Sequence, residues 1–219
     1  MSRALHDGAN GTLFGVALNY QGLLNQRIAE FEQAPYQKPP LKPVLFIKTP
    51  NTRNGHDGSV VQPTGERLQP GPALGVVIGK SASRVSVENA MAHVAGYTIV
   101  NEFSLPEDSY YRPAVKARCR DGFCALGPEL VGRDQIDNPN QLSLKLFVNG
   151  ELRQQNSTAN WVRDIPQLIA EISEFMTLHE GDVLITGTPE GRVDVQPGDT
   201  VEVEISGLGR SEEHTSELQ

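Results

Sequence analysis

The spacing of apolar residues along the chain predicts mostly short strands. Within Leu142–Val148 every second residue is Leu or Val, and within Val201–Ile205 valine and isoleucine alternate with glutamate. A period of two is typical of a strand with one buried face. The apolar segments Thr12–Ala17, Leu74–Ile78 and Gly96–Val100 predict further strands.

Helical periodicity is confined to a few segments. Apolar residues recur at near-helical spacing in Leu23–Phe31, a short helix can follow Ser86, and Asp164 with Gln167 resembles a capping box at the start of a helix that extends to Met176. With about seven or more strands and two or three short helices, the pattern predicts a β-rich α+β fold, a mixed β-sandwich or roll. Residues 104–124 and Thr49–Ser59 are expected to be loops.

Length and charge narrow the class of protein. The chain has 219 residues, 21 glycines and 15 prolines, and a formal net charge of -8. We expect one domain over residues 1–209, no nucleic-acid partner because the chain is acidic, and no membrane span because no apolar run is long enough. The N-terminus lacks the apolar core of a signal peptide, so a cytoplasmic location is expected.

The last ten residues, Arg210–Gln219, have no evident periodicity and resemble the translated read-through of a sequencing adapter. We expect residues 210–219 to be a non-native tail that replaces a missing final strand. A natural disordered tail is the alternative.

Three clusters could carry chemistry. The turn Thr186–Gly191 follows an apolar strand, and its backbone N–H groups and hydroxyls could hold a carboxylate or an enolate oxygen, although an ordinary Gly/Pro turn has the same composition. Arg112, Lys116, Arg118 and Arg120 place four cations within nine residues, which indicates an anion pocket or a solvated loop. Lys48 ends a strand and could reach a pocket or extend along the surface.

Taken together, several motifs resemble the fumarylacetoacetate hydrolase family over about residues 11–209. They occur in the family's order: Leu18–Tyr20, Phe46–Lys48, Val76–Lys80, Ala95–Thr98, Val148–Glu151, Ser173–Leu178, Gly181–Asp182 and Thr186–Pro189. Tyr110–Pro113, Cys119–Cys124 and Asn149–Arg153 are most similar to members that act in 4-hydroxyphenylacetate degradation.

The resemblance implies a fold, a reaction and a cofactor. It implies a β-sandwich roll that is usually dimeric. It also implies decarboxylation of 5-oxopent-3-ene-1,2,5-tricarboxylate and isomerisation to 2-oxohept-3-ene-1,7-dioate, with Mg²⁺ or Mn²⁺ bound to the 2-oxo acid as a Lewis acid. The ligand would therefore be a small di- or tricarboxylate 2-oxo acid.

The chain differs from the family at the positions of the metal ligands and of the general base. Where the family has two glutamates of the metal site, this chain has Gly71 and Ala73, and only Glu102 keeps a carboxylate. Leu23 and Gln26 stand where the family has the His and Glu of its general-base helix. We therefore expect no metal site in this chain, and a metal-bearing homologous half or subunit as its partner.

The resemblance assigns roles to the remaining candidates. Those expected to be catalytic are Lys48, Arg118, Asp121 and Thr188, and those expected to bind substrate are Tyr20, Arg112, Arg120, Thr186 and Gly187. Two alternatives stay open: a non-catalytic structural subunit that pairs with a metal-bearing homologue, and a hydrolase that cleaves a C–C bond of an acylpyruvate.

Overall fold

Two twisted sheets form the architecture in this computed structural model, which describes residues 3–4 and 8–217. The larger sheet has nine strands: β1 (Arg3–Ala4), β2 (Leu13–Ala17), β3 (Val44–Lys48), β4 (Arg53–Gly55), β6 (Pro72–Ile78), β7 (Val94–Glu102), β8 (Cys124–Leu126), β9 (Glu129–Gly132) and β12 (Val183–Ile185). The smaller sheet has five: β5 (Ser59–Gln62), β10 (Ser143–Val148), β11 (Glu151–Ser157), β13 (Thr200–Ile205) and β14 (Gly209–Glu217). The β-rich sandwich expected from the sequence is confirmed.

Strand order brings one set of strand ends together. The larger sheet has the order β1-β9-β7-β6-β12-β2-β3, and β8 pairs with β7 and β4. Because β2 and β12 are parallel, their carboxyl ends meet. Strand β6 is antiparallel to β12 and β7, and Pro72 pairs with Asn101, so the start of β6 lies beside the end of β7 at that same edge.

The main core lies between the two sheets. Alternate residues of β10 and β13, such as Leu146 and Val203, are buried and belong to one apolar cluster with Val76 and Ile99 of the larger sheet. This is the burial pattern that the period of two predicts.

Within the described residues, four short α-helices accompany the sheets, one or two more than the sequence predicted: α1 (Gln21–Arg27), α2 (Val87–Ala90), α3 (Val115–Arg118) and α4 (Ile165–Ser173). Asp164 caps α4, since its Oδ1 accepts from the Gln167 N–H at 2.9 Å and Gln167 Oε1 accepts from the Asp164 N–H at 3.1 Å. The capping box is therefore confirmed. None of the helices in the described ranges is both long and apolar enough to cross a membrane.

Some expectations about loops and the tail are wrong. Residues 104–124 contain α3, and Thr49–Ser59 contains β4, which pairs with β8. Residues up to 217 of the expected tail continue β14, which lies between β13 and β5, while Leu218 and Gln219 lie outside the described residues. Alternate side chains of this strand are polar but buried (Ser211, Glu213, Thr215), so no apolar period revealed it. The origin of residues 210–219 stays a prediction.

Candidate active site

Two adjoining cavities open at the edge where the strand ends meet. The smaller has a volume of about 270 Å³ and lies between the start of α1, the end of β2 and the turn that follows β12. The larger, of about 540 Å³, lies between β3 and the segment that includes α3. Both are lined by Ala17, Phe46, Glu107, Tyr110 and Arg118, so Arg118 stands at the boundary between them.

The smaller cavity is rich in guanidinium groups. Arg27, Arg118 and Arg192 line it, together with the carboxylates of Glu107 and Glu190. The exposed fraction of the three arginine side chains is 19%, 7% and 17% respectively, so they are held in place rather than freely solvated. Guanidinium groups in such a partly dehydrated cavity suit a ligand with carboxylates.

Glu102 lies directly behind this cavity and is fully buried at the end of β7. Its Oε1 is 2.7 Å from Lys48 Nζ, and its Oε2 is 2.7 Å from Arg118 Nη1 and 3.4 Å from Arg192 Nη2. Burial alone would raise the pKa of Glu102, but these three cations hold the pKa below its usual range. Glu102 is therefore an anion that organises three cations.

Lys48 is the innermost of the three cations. Its Nζ donates to the carbonyl oxygens of Arg118 at 2.7 Å, Phe103 at 2.8 Å and Phe123 at 3.1 Å, and it forms the ion pair with Glu102. Burial lowers the pKa of Lys48, and Glu102 opposes that change. The ammonium lines neither cavity, so the structure places Lys48 beneath the site instead of in it.

Arg118 links the buried anion to the cavity wall. Its Nε and Nη2 donate to Glu107, its Nη1 donates to Glu102, and its guanidinium carbon lies 4.0 Å from the centre of the Phe46 ring. Burial would lower the pKa of Arg118, but the two glutamates raise it, so the group stays charged.

Arg192 lines the smaller cavity and was missed by the sequence analysis, as were Arg27 and Glu190. Its Nε donates to Pro70 O at 3.1 Å, its Nη1 to Ser104 Oγ at 2.7 Å, and its Nη2 to the backbone oxygen of Glu102. Burial lowers the pKa of Arg192, and the negative charge of Glu102 partly offsets this change. The available signal was a charged residue in the Gly-rich turn after β12, close to the Thr186–Pro189 motif.

The other expected site residues are dispersed. Thr188 lines the smaller cavity, and Arg112 lines the larger one, where its side chain is exposed. Thr186 is buried and donates to Leu74 O, and Gly187 has a φ of +111° and packs against Val16 O. Neither residue lines either of these two cavities.

Three more expected residues lie away from both cavities. Tyr20 is fully buried, and burial raises the pKa of its hydroxyl well above the usual range. Arg120 donates to Lys116 O at 2.9 Å. Asp121 is exposed and accepts from Asn51 Nδ2 at 2.6 Å. Their assignment to catalysis or binding stays a prediction.

The residues present do not fit a divalent cation at the family's position. Mg²⁺ and Mn²⁺ require several oxygen ligands, and Glu102 is the one carboxylate there. A side chain at Gly71 would overlap Arg192 Nη2, while Ala73 packs in an apolar cluster that includes Val77 and Cys124. The guanidinium of Arg192 thus takes up the space beside Glu102 that a carboxylate at position 71 would need.

Comparisons with known proteins agree with this architecture. The family described as Fumarylacetoacetate (FAA) hydrolase C-terminal matches residues 12–215. The 4-hydroxyphenylacetate degradation bifunctional isomerase/decarboxylase of Salmonella dublin is 44% identical over 205 residues, which cover 92% of this chain and 46% of that protein. The chain thus spans about half the length of the first curated relatives it matches.

Solved structures show the same fold. The 5-carboxymethyl-2-hydroxymuconate delta-isomerase from Mycobacterium smegmatis has a TM-score of 0.83 at 30% identity, over 97% of this chain and 81% of that one. The maleylpyruvate hydrolase from Sphingobium sp. SYK-6, in complex with manganese(II) and pyruvate, has a TM-score of 0.79 at 28% identity, over 95% of this chain and 71% of that one. This chain therefore belongs to the fumarylacetoacetate hydrolase family.

Proposed function

We propose that this chain is an isomerase/decarboxylase unit that acts on a small di- or tricarboxylate 2-oxo acid. The proposed reaction converts 5-oxopent-3-ene-1,2,5-tricarboxylate through 2-hydroxyhepta-2,4-diene-1,7-dioate to 2-oxohept-3-ene-1,7-dioate. The observation that carries the proposal is the group of three guanidiniums, Arg27, Arg118 and Arg192, on a cavity of about 270 Å³. The activities of the relatives from Salmonella dublin and Mycobacterium smegmatis support the reaction class.

The cations supply binding and charge stabilisation in this proposal. Carboxylates of the acid bind the guanidiniums by charge-assisted hydrogen bonds. When the C–CO₂ bond breaks, its electron pair enters the conjugated system and negative charge develops on the 2-oxo oxygen. Arg118, Arg192 and the Thr188 hydroxyl are already positioned at the cavity, so they stabilise that charge without reorganisation. Lys48 acts as a positioning residue, because it fixes Glu102 and the backbone at Arg118.

The larger cavity extends the binding site in the same proposal. It is mostly apolar and adjoins the smaller one at Phe46 and Arg118, with Arg112 at its exposed rim. The carbon chain of the acid would lie along the apolar wall and its distal carboxylate would reach Arg112. Arg120 is half-buried and bonded to Lys116 O, and Asp121 is exposed and bonded to Asn51, which favours a supporting role for both in holding the loop.

A second candidate is a structural subunit that shapes a metal-bearing homologue. The observation that favours it is the engagement of Arg118 and Arg192 by Glu102 and Glu107, which leaves fewer donors for a ligand. A homologous half, dimeric assembly and a cytoplasmic location are expectations that accompany both candidates.

Turnover separates the two candidates. Purified chain is given the tricarboxylate, and CO₂ release and product are followed with and without EDTA and with and without a metal-bearing homologous half. The proposal predicts EDTA-resistant turnover by the chain alone, a large loss in Arg118→Gln, and no loss in Arg67→Gln, whose exposed side chain pairs with Asp194. Absence of turnover in all combinations would refute the enzymatic proposal and leave the structural one.

A further inference from the structure

Two glycines leave gaps beside the smaller cavity, and charged side chains from a single turn fill both. The turn Thr188–Arg192 follows β12 and lines the cavity. A Cβ built at Gly22 of α1 would lie 2.8 Å from Glu190 Oε2 and closer still to Oε1, and a Cβ at Gly71 would overlap Arg192 Nη2. Any larger residue at either position would displace a charged group from the turn.

Glu190 keeps one carboxylate oxygen unpaired. Asn156 Nδ2 donates to its Oε1 at 3.2 Å, and Gln154 Nε2 fixes its backbone oxygen at 2.6 Å. Its Oε2 is buried and accepts no hydrogen bond from the described residues. A buried carboxylate oxygen without a donor is costly unless something else binds there, such as a proton or a ligand group.

Arg192 also retains a donor hydrogen that no acceptor among the described residues uses. Its Nη1 carries two hydrogens, and Ser104 Oγ is the one acceptor for Nη1 within the described part of the chain. The side chain lines the cavity, so the second hydrogen is available to an anion there.

The positions of these two groups match the two departures from the family. Glu190 packs against Gly22, next to Leu23, where the family has its base, and Leu23 lines the same cavity. Arg192 fills the space at Gly71, where the family has a metal ligand. One turn thus supplies a carboxylate beside the lost base and a cation beside the lost metal ligand.

We propose that Glu190 is the proton-transferring residue and Arg192 the resident cation of this site. This inference rests on the proposed function and names the groups that perform it. In the tautomerisation of a 2-oxo-3-enoate dicarboxylate, the C5–H bond breaks and the carboxylate of Glu190, which lines the cavity, takes the proton. The electron pair of that bond moves through C4 and C3 to the 2-oxo oxygen, giving a dienolate whose negative charge faces Arg192. Return of the proton to carbon restores the ketone and the carboxylate.

The test compares two reactions in each variant, both in EDTA. Deuterium incorporation at C5 of 2-oxohept-3-ene-1,7-dioate is followed by NMR, and CO₂ release from the tricarboxylate is measured separately. Glu190→Gln should lower exchange by about 100-fold or more and flatten its pH profile. Because the C–CO₂ cleavage needs no base, CO₂ release should fall much less. Arg192→Gln should lower both reactions, since both develop charge on the same oxygen.

Gly22→Ala provides a second variant that keeps Glu190 in the chain. Alanine is a better helix former than glycine, so α1 is not weakened, yet the added methyl would displace the carboxylate. Exchange should therefore fall as in Glu190→Gln. Glu180→Gln, on an exposed residue, should change neither reaction.

Four results would overturn the inference or one of its two roles. Exchange at the wild-type rate in Glu190→Gln would remove the proton-transfer role, and CO₂ release at the wild-type rate in Arg192→Gln would remove the cation role. Wild-type chain that releases CO₂ without exchanging C5 would overturn this inference alone. Wild-type chain that does neither would overturn the proposed function as well.

Discussion

Replacing Lys48 with methionine tests the idea that its ammonium organises the site from below. Methionine has a similar length and fills the same volume, but it leaves Glu102 without its 2.7 Å partner and leaves the carbonyls of Phe103 and Arg118 without a donor. The Phe123 carbonyl still accepts from the Phe103 N–H at 3.0 Å. Each buried carbonyl that loses its donor costs about 1–3 kcal/mol. Because Arg118 and Arg192 still neutralise Glu102, we expect a total loss of about 3–5 kcal/mol, the range for a broken buried ion pair.

Urea unfolding followed by circular dichroism measures this loss as a lower midpoint. For a chain of this size the loss corresponds to a melting temperature lower by about 6–20 °C. Lys145→Met is the matched control: its partly exposed ion pair with Glu204, at 3.2 Å, should contribute less than about 1 kcal/mol. If the free energy of unfolding of Lys48→Met is within about 1 kcal/mol of wild type, the Lys48 ammonium does not organise the site.

Further predictions concern burial, packing and capping. Burial raises the pKa of Glu213 from 4.5 to about 7, so the folded chain binds this proton more tightly than the unfolded chain. The free energy of unfolding should therefore fall by about 3 kcal/mol between pH 4.5 and pH 7. Urea titrations at several pH values should show that Glu213→Gln removes this pH dependence and that the control Glu217→Gln retains it. Gly71→Glu should lower the melting temperature because its side chain overlaps Arg192, and a second substitution, Arg192→Ala, should recover part of that loss. Asp164→Ala should cost about 1 kcal/mol in urea unfolding through loss of the α4 cap.

The sequence predicts an element well where its own residues alternate between the core and solvent. Ser143–Val148 and Thr200–Ile205 were expected for this reason, since apolar side chains of both strands enter the main core. Strand β14 has no such signal because Ser211 and Glu213 occupy its buried face, and it is held by backbone pairing to β13 and β5. That pairing depends on residues far away in the chain.

The candidate site was predictable in part for the same reason. The cationic segment around Arg118 and the turn around Thr188 stand out locally, and both line the smaller cavity. The direction of the Lys48 side chain, into the interior, depends on Glu102 and three backbone oxygens that local spacing does not reveal. Arg192 was missed because its partner Glu102 lies 90 residues earlier.

Calorimetric titration of the purified chain with Mn²⁺ tests most directly whether a guanidinium has replaced the metal. We predict no binding that depends on Glu102, and the same heat in Glu102→Gln as in wild type. Asp57, Glu212 and His214 form a surface group that could bind Mn²⁺ weakly, and the His214→Ala variant identifies heat that comes from this group. One Mn²⁺ bound per chain at micromolar affinity, lost in Glu102→Gln and kept in His214→Ala, would contradict the account.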